Sequence, residues 1–399
     1  MWFQLLFLFF TILLSIPLLV IGLELLITLL SNKPALLSPK GNEAQPTMKI
    51  LMPAHNEADI IVKTLSVLIK QGIKVSDIIV VADNCTDSTA EISENLGTTV
   101  LERFNDELRG KGFALDHGLQ YIKAETPPPD VVVILDADCE IDSSSLKTLV
   151  NGCYKQQRPV QALYLMRKSE EDSLARRVAG FAWLVKNKVR PIAVSILTLP
   201  ITLTGTGMAF PWKVIADVNV AHGNIVEDMQ LGIDCTLAGF PPILCEHATV
   251  YSDFPEQGSD AEKTQRTRWE HGHLITIIQQ APKLIKQAII RKDWRLLGLA
   301  LDIGVPPLSL LVLLSVIGLL FLAIYSCIVS SYAAFLVLLT SFSFFAIMLI
   351  MAWWKFGREY LTLKELFKIP VYIISKIAIY ILFLFKRQKS WIRTSRKAK

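Results

Sequence analysis

Two carboxylates, Asp136 and Asp138, follow directly on the apolar run 131–135 in the stretch VVVILDADCEID. An aspartate at the end of a buried strand is costly unless it is paired, hydrogen-bonded or bound to a cation. The pattern reads as an acidic turn or as a site for a hard divalent cation, which takes oxygen ligands. Asp136 and Asp138 are the candidate ligands, while Glu140 and Asp142 fit a solvated turn ahead of a helix starting at Ser143. Three similar groups precede them: His55, Asn56 and Glu57 in MPAHNEAD; Asp83, Asn84 and Asp87 in VVADNCTDST; and Lys111 between Gly110 and Gly112 in ERFNDELRGKGFAL. The last is not a phosphate loop of the G-x-x-x-x-G-K-S/T type, because Asn105 stands where its first glycine belongs and Gly112 replaces the hydroxyl residue. A glycine-flanked cation opening a helix can still approach a diphosphate; an exposed loop lysine is the plainer reading. Glu227 and Asp228 suit a helix N-terminus, which favours acids. Gln265, Arg268 and Trp269 are spaced i, i+3, i+4 and so share one helix face. That face offers a guanidinium suited to planar anions and an indole that can anchor at a membrane surface. His271 and His273 are two residues apart, a poor helical metal pair, and receive no role.

These groups need a scaffold that ends several strands on one edge. Apolar runs KILMPA, DIIVVA, TTVLE and VVVILDA alternate with helix-like stretches starting near Ala58, Asp87, Gly110 and Ser143. Continuous apolar strands separated by helices predict a parallel sheet covered on both faces. Ligands of open α/β sheets bind at the carboxyl ends of the strands, where the four groups fall. The run Asp87–Glu91 has the form of a capped helix start.

The chain has 399 residues, 52% of them hydrophobic, and a mean hydropathy of +0.41, so part of it belongs in lipid. Residues 2–30 are apolar apart from Gln4, Thr11, Ser15, Glu24 and Thr28, and long enough to span about 30 Å of hydrocarbon. Without a basic leader or a small-residue cleavage site they read as an uncleaved anchor, and Lys33 and Lys40 beyond them favour a cytoplasmic continuation. The expected organisation is an anchor over 1–31, a linker over 32–46, a cytosolic catalytic domain over 47–279 and an amphipathic interface helix over 280–297. Two further spans follow within 298–354, at 299–328 and 331–354. The remaining stretch, 355–399, holds an interfacial segment at 369–385 and a basic cytoplasmic tail. The last fourteen residues carry seven Lys or Arg and no acid. Beside an apolar stretch this reads as a membrane flank and not as a nucleic-acid patch. Six cysteines without a C-x-x-C pair suggest neither a disulfide framework nor a zinc site.

Taken in order, these motifs resemble membrane-integrated family 2 glycosyltransferases with a GT-A fold, such as hyaluronan, cellulose and ceramide-sugar synthases. The likeness runs over about 47–285. It lies in P-x-x-N-E, D-x-x-x-D, the G-K loop, D-x-D, the glycine loop TGTGMAF (204–210), VEDMQLGID (226–234) and QRTRW (265–269). It implies an α/β, Rossmann-like nucleotide-sugar-binding domain with N- and C-terminal transmembrane helices. Its donor would be a nucleoside-diphosphate sugar, most often UDP-linked. By the same resemblance Glu57 and Asp83 contact base or ribose, and Lys111 lies near the uracil or diphosphate. Asp136 and Asp138 hold Mg²⁺ or Mn²⁺, and Arg268 clamps the diphosphate. Asp228 is the base of an inverting transfer. Gly205, Gly207, Glu227, Gln265 and Trp269 serve the acceptor side. The expected acceptor is a lipid, a lipid-linked saccharide or an exopolysaccharide. A processive synthase is the alternative; three spans are few for a polymer channel unless the chain oligomerises. A binding protein without transfer activity would be expected to lack the base or the D-x-D pair, and a transporter would need polar positions along its spans.

Overall fold

The computed structural model describes residues 2–31, 45–221, 226–255 and 259–385. Most of the expected linker and the basic tail lie outside the described residues. The chain divides into two compact units. One holds 45–167 and 200–272; the other holds 2–31, 168–199 and 273–385.

The first unit is built on an eight-stranded sheet. Its strands are β1 (Met48–Ala54), β2 (Ile78–Asp83), β3 (Thr99–Arg103), β4 (Val131–Ile134), β5 (Cys139–Ile141), β6 (Val160–Met166), β7 (Met208–Pro211) and β8 (Ile243–Ser252). Their order across the sheet is β3-β2-β1-β4-β7-β6-β8-β5. β1 to β4 are parallel, and the helices Ala58–Lys70, Thr89–Asn95 and Lys111–Lys123 fill the three crossovers. Every residue of β2 and β4 is buried, which is why both read as unbroken apolar runs. Leu51, Val81, Val132 and Phe210 of the sheet share one core with Ala114 and Leu119 of the third crossover helix and Leu231 of the helix Glu227–Leu237. The α/β, Rossmann-like class expected from the sequence is therefore present. The expectation of a wholly parallel sheet stops at β4, because β7 returns antiparallel to it and to β6, and β5 is antiparallel to β8. Between β6 and β7 the chain runs through 168–199, which belong to the other unit, so no local period in the sequence gave warning of the direction of β7.

The second unit contains three helices long and apolar enough to cross a membrane, Gln4–Leu30, Leu308–Val329 and Ala333–Gly357. The span expected from 299 begins instead at Leu308. Trp294–Ile303 is a separate helix, and Pro306 and Pro307 cannot continue one. The segment after Lys368 forms two short helices, Ile369–Ser375 and Ile377–Phe385, with Lys376 between them. The expected interface helix over 280–297 is not one element. Gln280 to Arg291 continue the 32-residue helix Asp260–Arg291. Lys292, at φ 51°, ends it, and Asp293 caps the next helix by accepting from Arg295 N.

Residues 168–199, expected within the catalytic domain, belong to the apolar unit. A buried charge cluster explains why. Arg190 Nε donates to Glu24 Oε2 at 2.5 Å, and Arg190 Nη2 donates to Asp302 Oδ1 at 2.6 Å and to the Asp302 carbonyl at 2.9 Å. Thr28 Oγ1 adds a 2.7 Å bond to the Val189 carbonyl. Glu24 lies inside an otherwise apolar helix and is 5% exposed, so its charge is tolerable only with the guanidinium in place. Arg190→Met leaves two buried carboxylates facing each other. The expected loss is about 3–5 kcal/mol, the usual cost of removing one partner of a buried pair. A thermal melt of the detergent-solubilised chain would show it; an unchanged melting temperature would mean that the cluster does not hold this unit together.

Candidate active site

Four loops at the carboxyl ends of β1, β2, β3 and β4 meet the loop before β7 and the start of the helix Glu227–Leu237. Asp136 and Asp138 leave β4 in a tight turn in which Cys139 N donates to the Asp136 carbonyl at 3.1 Å. One carboxylate oxygen of each and the Cys139 sulfur lie within 4.8 Å of one another. Burial pushes the Cys139 thiol up to about 12, so the two carboxylates are the charged donors. Cys139 Sγ donates to Asp138 Oδ1 at 3.3 Å and Ser252 Oγ to Asp138 Oδ2 at 3.4 Å.

Lys111 opens its helix directly behind Gly110, whose φ is 125°. Its ammonium donates to Asp136 Oδ1 and, at 2.7 Å, to the Gly205 carbonyl. Burial alone would lower its pKa; the charges of Asp136, Glu227 and Asp228 outweigh burial and hold it above the usual lysine value. A β-carbon built on Gly205 would lie 3.3 Å from Asp228 Oδ2 and 3.7 Å from Lys111 Nζ. The glycine, at φ 95°, thus lets backbone, base candidate and cation converge. At Gly207, φ 63°, a β-carbon would meet Val250 Cγ2 at 2.5 Å. Glu227 is pushed up to about 7 by burial and by the neighbouring Asp228 charge, against the pull of Lys111 and Arg268. Arg268 therefore acts on this cluster, and among the described residues its buried Nε has no hydrogen-bond partner. Gln265 is buried and Trp269 half-buried on the same helix. Asp136 and Asp138 offer carboxylate oxygens on one turn. Hard oxygen donors of this kind fit a divalent cation.

Asp83 and Glu57 belong to an adjoining group. Asp83 is 7% exposed and accepts from Arg103 Nη1 at 2.5 Å. His55 Nδ1 donates to the Asp83 carbonyl at 2.6 Å, and Glu57 N donates to Thr89 Oγ1 at 2.9 Å. Asn56 Oδ1 accepts from Thr86 N at 2.7 Å, and Asn84 Oδ1 from Asn105 N at 2.8 Å. The two asparagines thereby tie three loops together from left-handed backbone positions, φ 54° and 52°. Sequence reasoning missed Arg103, which announces itself only as the last residue of a strand. It also misplaced Glu140: this residue lies on β5 and pairs with Lys63 at 2.8 Å and Arg167 at 2.5 Å. Asp142 does start the helix, accepting from Ser145 N.

With this geometry in view, comparison with known proteins is informative. Residues 46–272 match a family model described as glycosyltransferase like family 2. The chain is 31% identical to protein RfbJ of Shigella flexneri over 108 residues, which cover 27% of this chain and 77% of that protein. It is 28% identical to 4,4'-diaponeurosporenoate glycosyltransferase of Staphylococcus haemolyticus over 137 residues, 32% of this chain and 35% of that one. The chain thus spans about a third of that relative's length. Among solved structures, a mannosyltransferase from Pyrobaculum calidifontis in complex with GDP-Man and Mn²⁺ matches with a TM-score of 0.48 and 19% identity, covering 85% of this chain and 96% of that one.

The raised Glu227 carboxyl predicts a stability effect of definite sign. Between pH 4.5, its ordinary value, and about 7 the folded chain keeps a proton that the unfolded chain has lost. Stability therefore falls as pH rises through that window. Glu227→Gln removes the penalty. In metal-free buffer the variant is expected to melt above the parent at pH 8 and level with it at pH 4; equal melting at both would refute the shift.

Proposed function

This chain belongs to glycosyltransferase-like family 2, and from that premise we propose that it is an inverting, membrane-integrated hexosyltransferase that moves a sugar from a nucleoside-diphosphate donor to a lipid or lipid-linked hydroxyl. The observation that carries the reading is the convergence of Asp136, Lys111 and Asp228 around the Gly205 backbone.

In this reading Asp228 takes the proton of the acceptor hydroxyl. The freed oxygen bonds to the anomeric carbon as the bond from that carbon to the diphosphate oxygen breaks on the opposite face, which inverts the centre. A carboxylate in the first turn of a helix is favoured by the helix dipole, and a positioned carboxylate can serve as a general base. An ammonium has three donors; two of those on Lys111 go to Asp136 and Gly205, which leaves the third for a phosphate oxygen. The unpartnered Nε of Arg268 is a second donor for the departing diphosphate. Asp136 and Asp138 would hold Mg²⁺ or Mn²⁺, which supplies positive charge to the leaving group. Asp83, fixed by Arg103, and Glu57 would recognise ribose or base, with a UDP-sugar the first donor to try. Gly205 keeps the acceptor side open, with Glu227, Gln265 and Trp269 around it, while Gly207 lets the loop pack closely on Val250. The lipid acceptor is supported by the three membrane-length helices of the same chain. They would make it a multi-pass membrane protein, and the lysines after the first of them favour a cytoplasmic catalytic domain.

The test is a donor screen. UDP- and GDP-sugars are incubated with the membrane-embedded chain and lipid extract, and released nucleoside diphosphate and product size are read. One donor should be consumed into a product of lipid size; a high-molecular-weight polymer would make the enzyme processive. Asp138→Ala should abolish metal-dependent nucleotide binding. Asp228→Asn should bind donor normally while losing about 10²–10⁴-fold in rate, the usual contribution of a general base. Turnover of Asp228→Asn at the parental rate would remove Asp228 from the role.

A further inference from the structure

Gln161 is the one amide in the buried run VQALYLM of β6. It is 2% exposed, and its carboxamide is fully engaged. Nε2 donates to the Thr206 and Ala162 carbonyls, each at 2.8 Å, and Oε1 accepts from Thr204 N at 2.9 Å. At this point the regular pairing of β6 with β7 ends, at Gln161 opposite Met208. Beyond it Ala162 N donates to the Gly207 carbonyl. The side chain therefore does for 204–206 what a strand backbone would do, one donor and one acceptor aimed at a peptide in each direction.

That peptide segment reaches the proposed reaction centre by three routes. Thr206 is fully buried, and its Oγ1 accepts from Asp136 N at 3.0 Å, fixing the backbone of the first ligand candidate. The Gly205 carbonyl holds Lys111. The open flank of Gly205 faces Asp228. Since Gly205 and Gly207 both sit at positive φ, the loop has wide backbone freedom and needs an outside tether to adopt one shape. We propose that Gln161 is a positioning residue for transfer: its buried carboxamide sets the shape of the 204–207 loop and so places Asp136, Lys111 and Asp228 around the donor diphosphate.

This rests on the reading of the site given above, and the two can fail separately. Asp83, Arg103 and Glu57 hang from other strands, so loss of the tether should weaken contacts to the diphosphate and spare those to the nucleoside. The experiment compares the parent, Gln161→Met and Gln161→Glu for affinity towards UDP and UMP in Mn²⁺ by calorimetry, and for kcat and KM. Gln161→Met keeps the volume and loses every hydrogen bond; Gln161→Glu keeps the acceptor for Thr204 and sets a carboxylate against two carbonyls. In both, UDP affinity and kcat should fall about 10–100-fold, the range for residues that orient a metal or phosphate ligand. UMP affinity should change less than about threefold. If Gln161→Met does not fold, Gln161→Glu carries the comparison alone. Equal losses for UDP and UMP would reduce Gln161 to general stability, and parental values throughout would overturn the proposal. A parent chain that binds UMP and UDP alike, with no metal dependence, would overturn the site reading with it.

Discussion

Lys111 has its ammonium between the Asp136 carboxylate and the Gly205 carbonyl, with Glu227 and Asp228 close enough to hold its proton on. Burying that charge without partners would be prohibitive, and gathering the surrounding acids without it would be equally so. The third crossover helix must therefore start where β4 ends, and the loop before β7 must turn its carbonyl inward. The helix Glu227–Leu237 is likewise required to present its first turn to the same point. The parallel strands β1 to β4 supply the first of these positions; the reversed strand β7 and the chain between it and β8 supply the other two.

The elements that were legible in the sequence are those whose signals are local. Strands buried on both faces leave continuous apolar runs, and the helices between them begin with residues suited to the task. The acids following Leu135 stand out because nothing apolar separates them from the strand. The glycines at 205 and 207 are visible as a pair, and the structure gives both a left-handed backbone.

Long-range partnerships were not legible. Arg190 pairs with residues 166 and 112 positions away, so nothing in its neighbourhood reveals that 168–199 packs with the apolar helices. Glu140 looks like one more acid in an acidic turn until Lys63 and Arg167 arrive from other elements. The break at Lys292 is a single left-handed residue within a pattern that reads as continuous helix. Gln161 offered a signal, one amide among seven residues of a buried strand, whose meaning depended on a loop more than forty positions on.

The order of strands has a geometric consequence for the acidic turn. β4 and β5 are consecutive in the chain, yet β7, β6 and β8 lie between them in the sheet. Four interstrand steps of about 4.8 Å would separate them by roughly 19 Å in a flat sheet. The five residue steps from Ile134 to Cys139 reach at most about 18 Å when fully extended, and they contain a tight turn. The sheet must therefore curl until its far edge comes back over its middle, and 135–138 is the strap that spans the gap. The carboxylates at 136 and 138 ride on that strap, so lengthening it by even one residue would relax the curvature of the sheet as well as move the carboxylates.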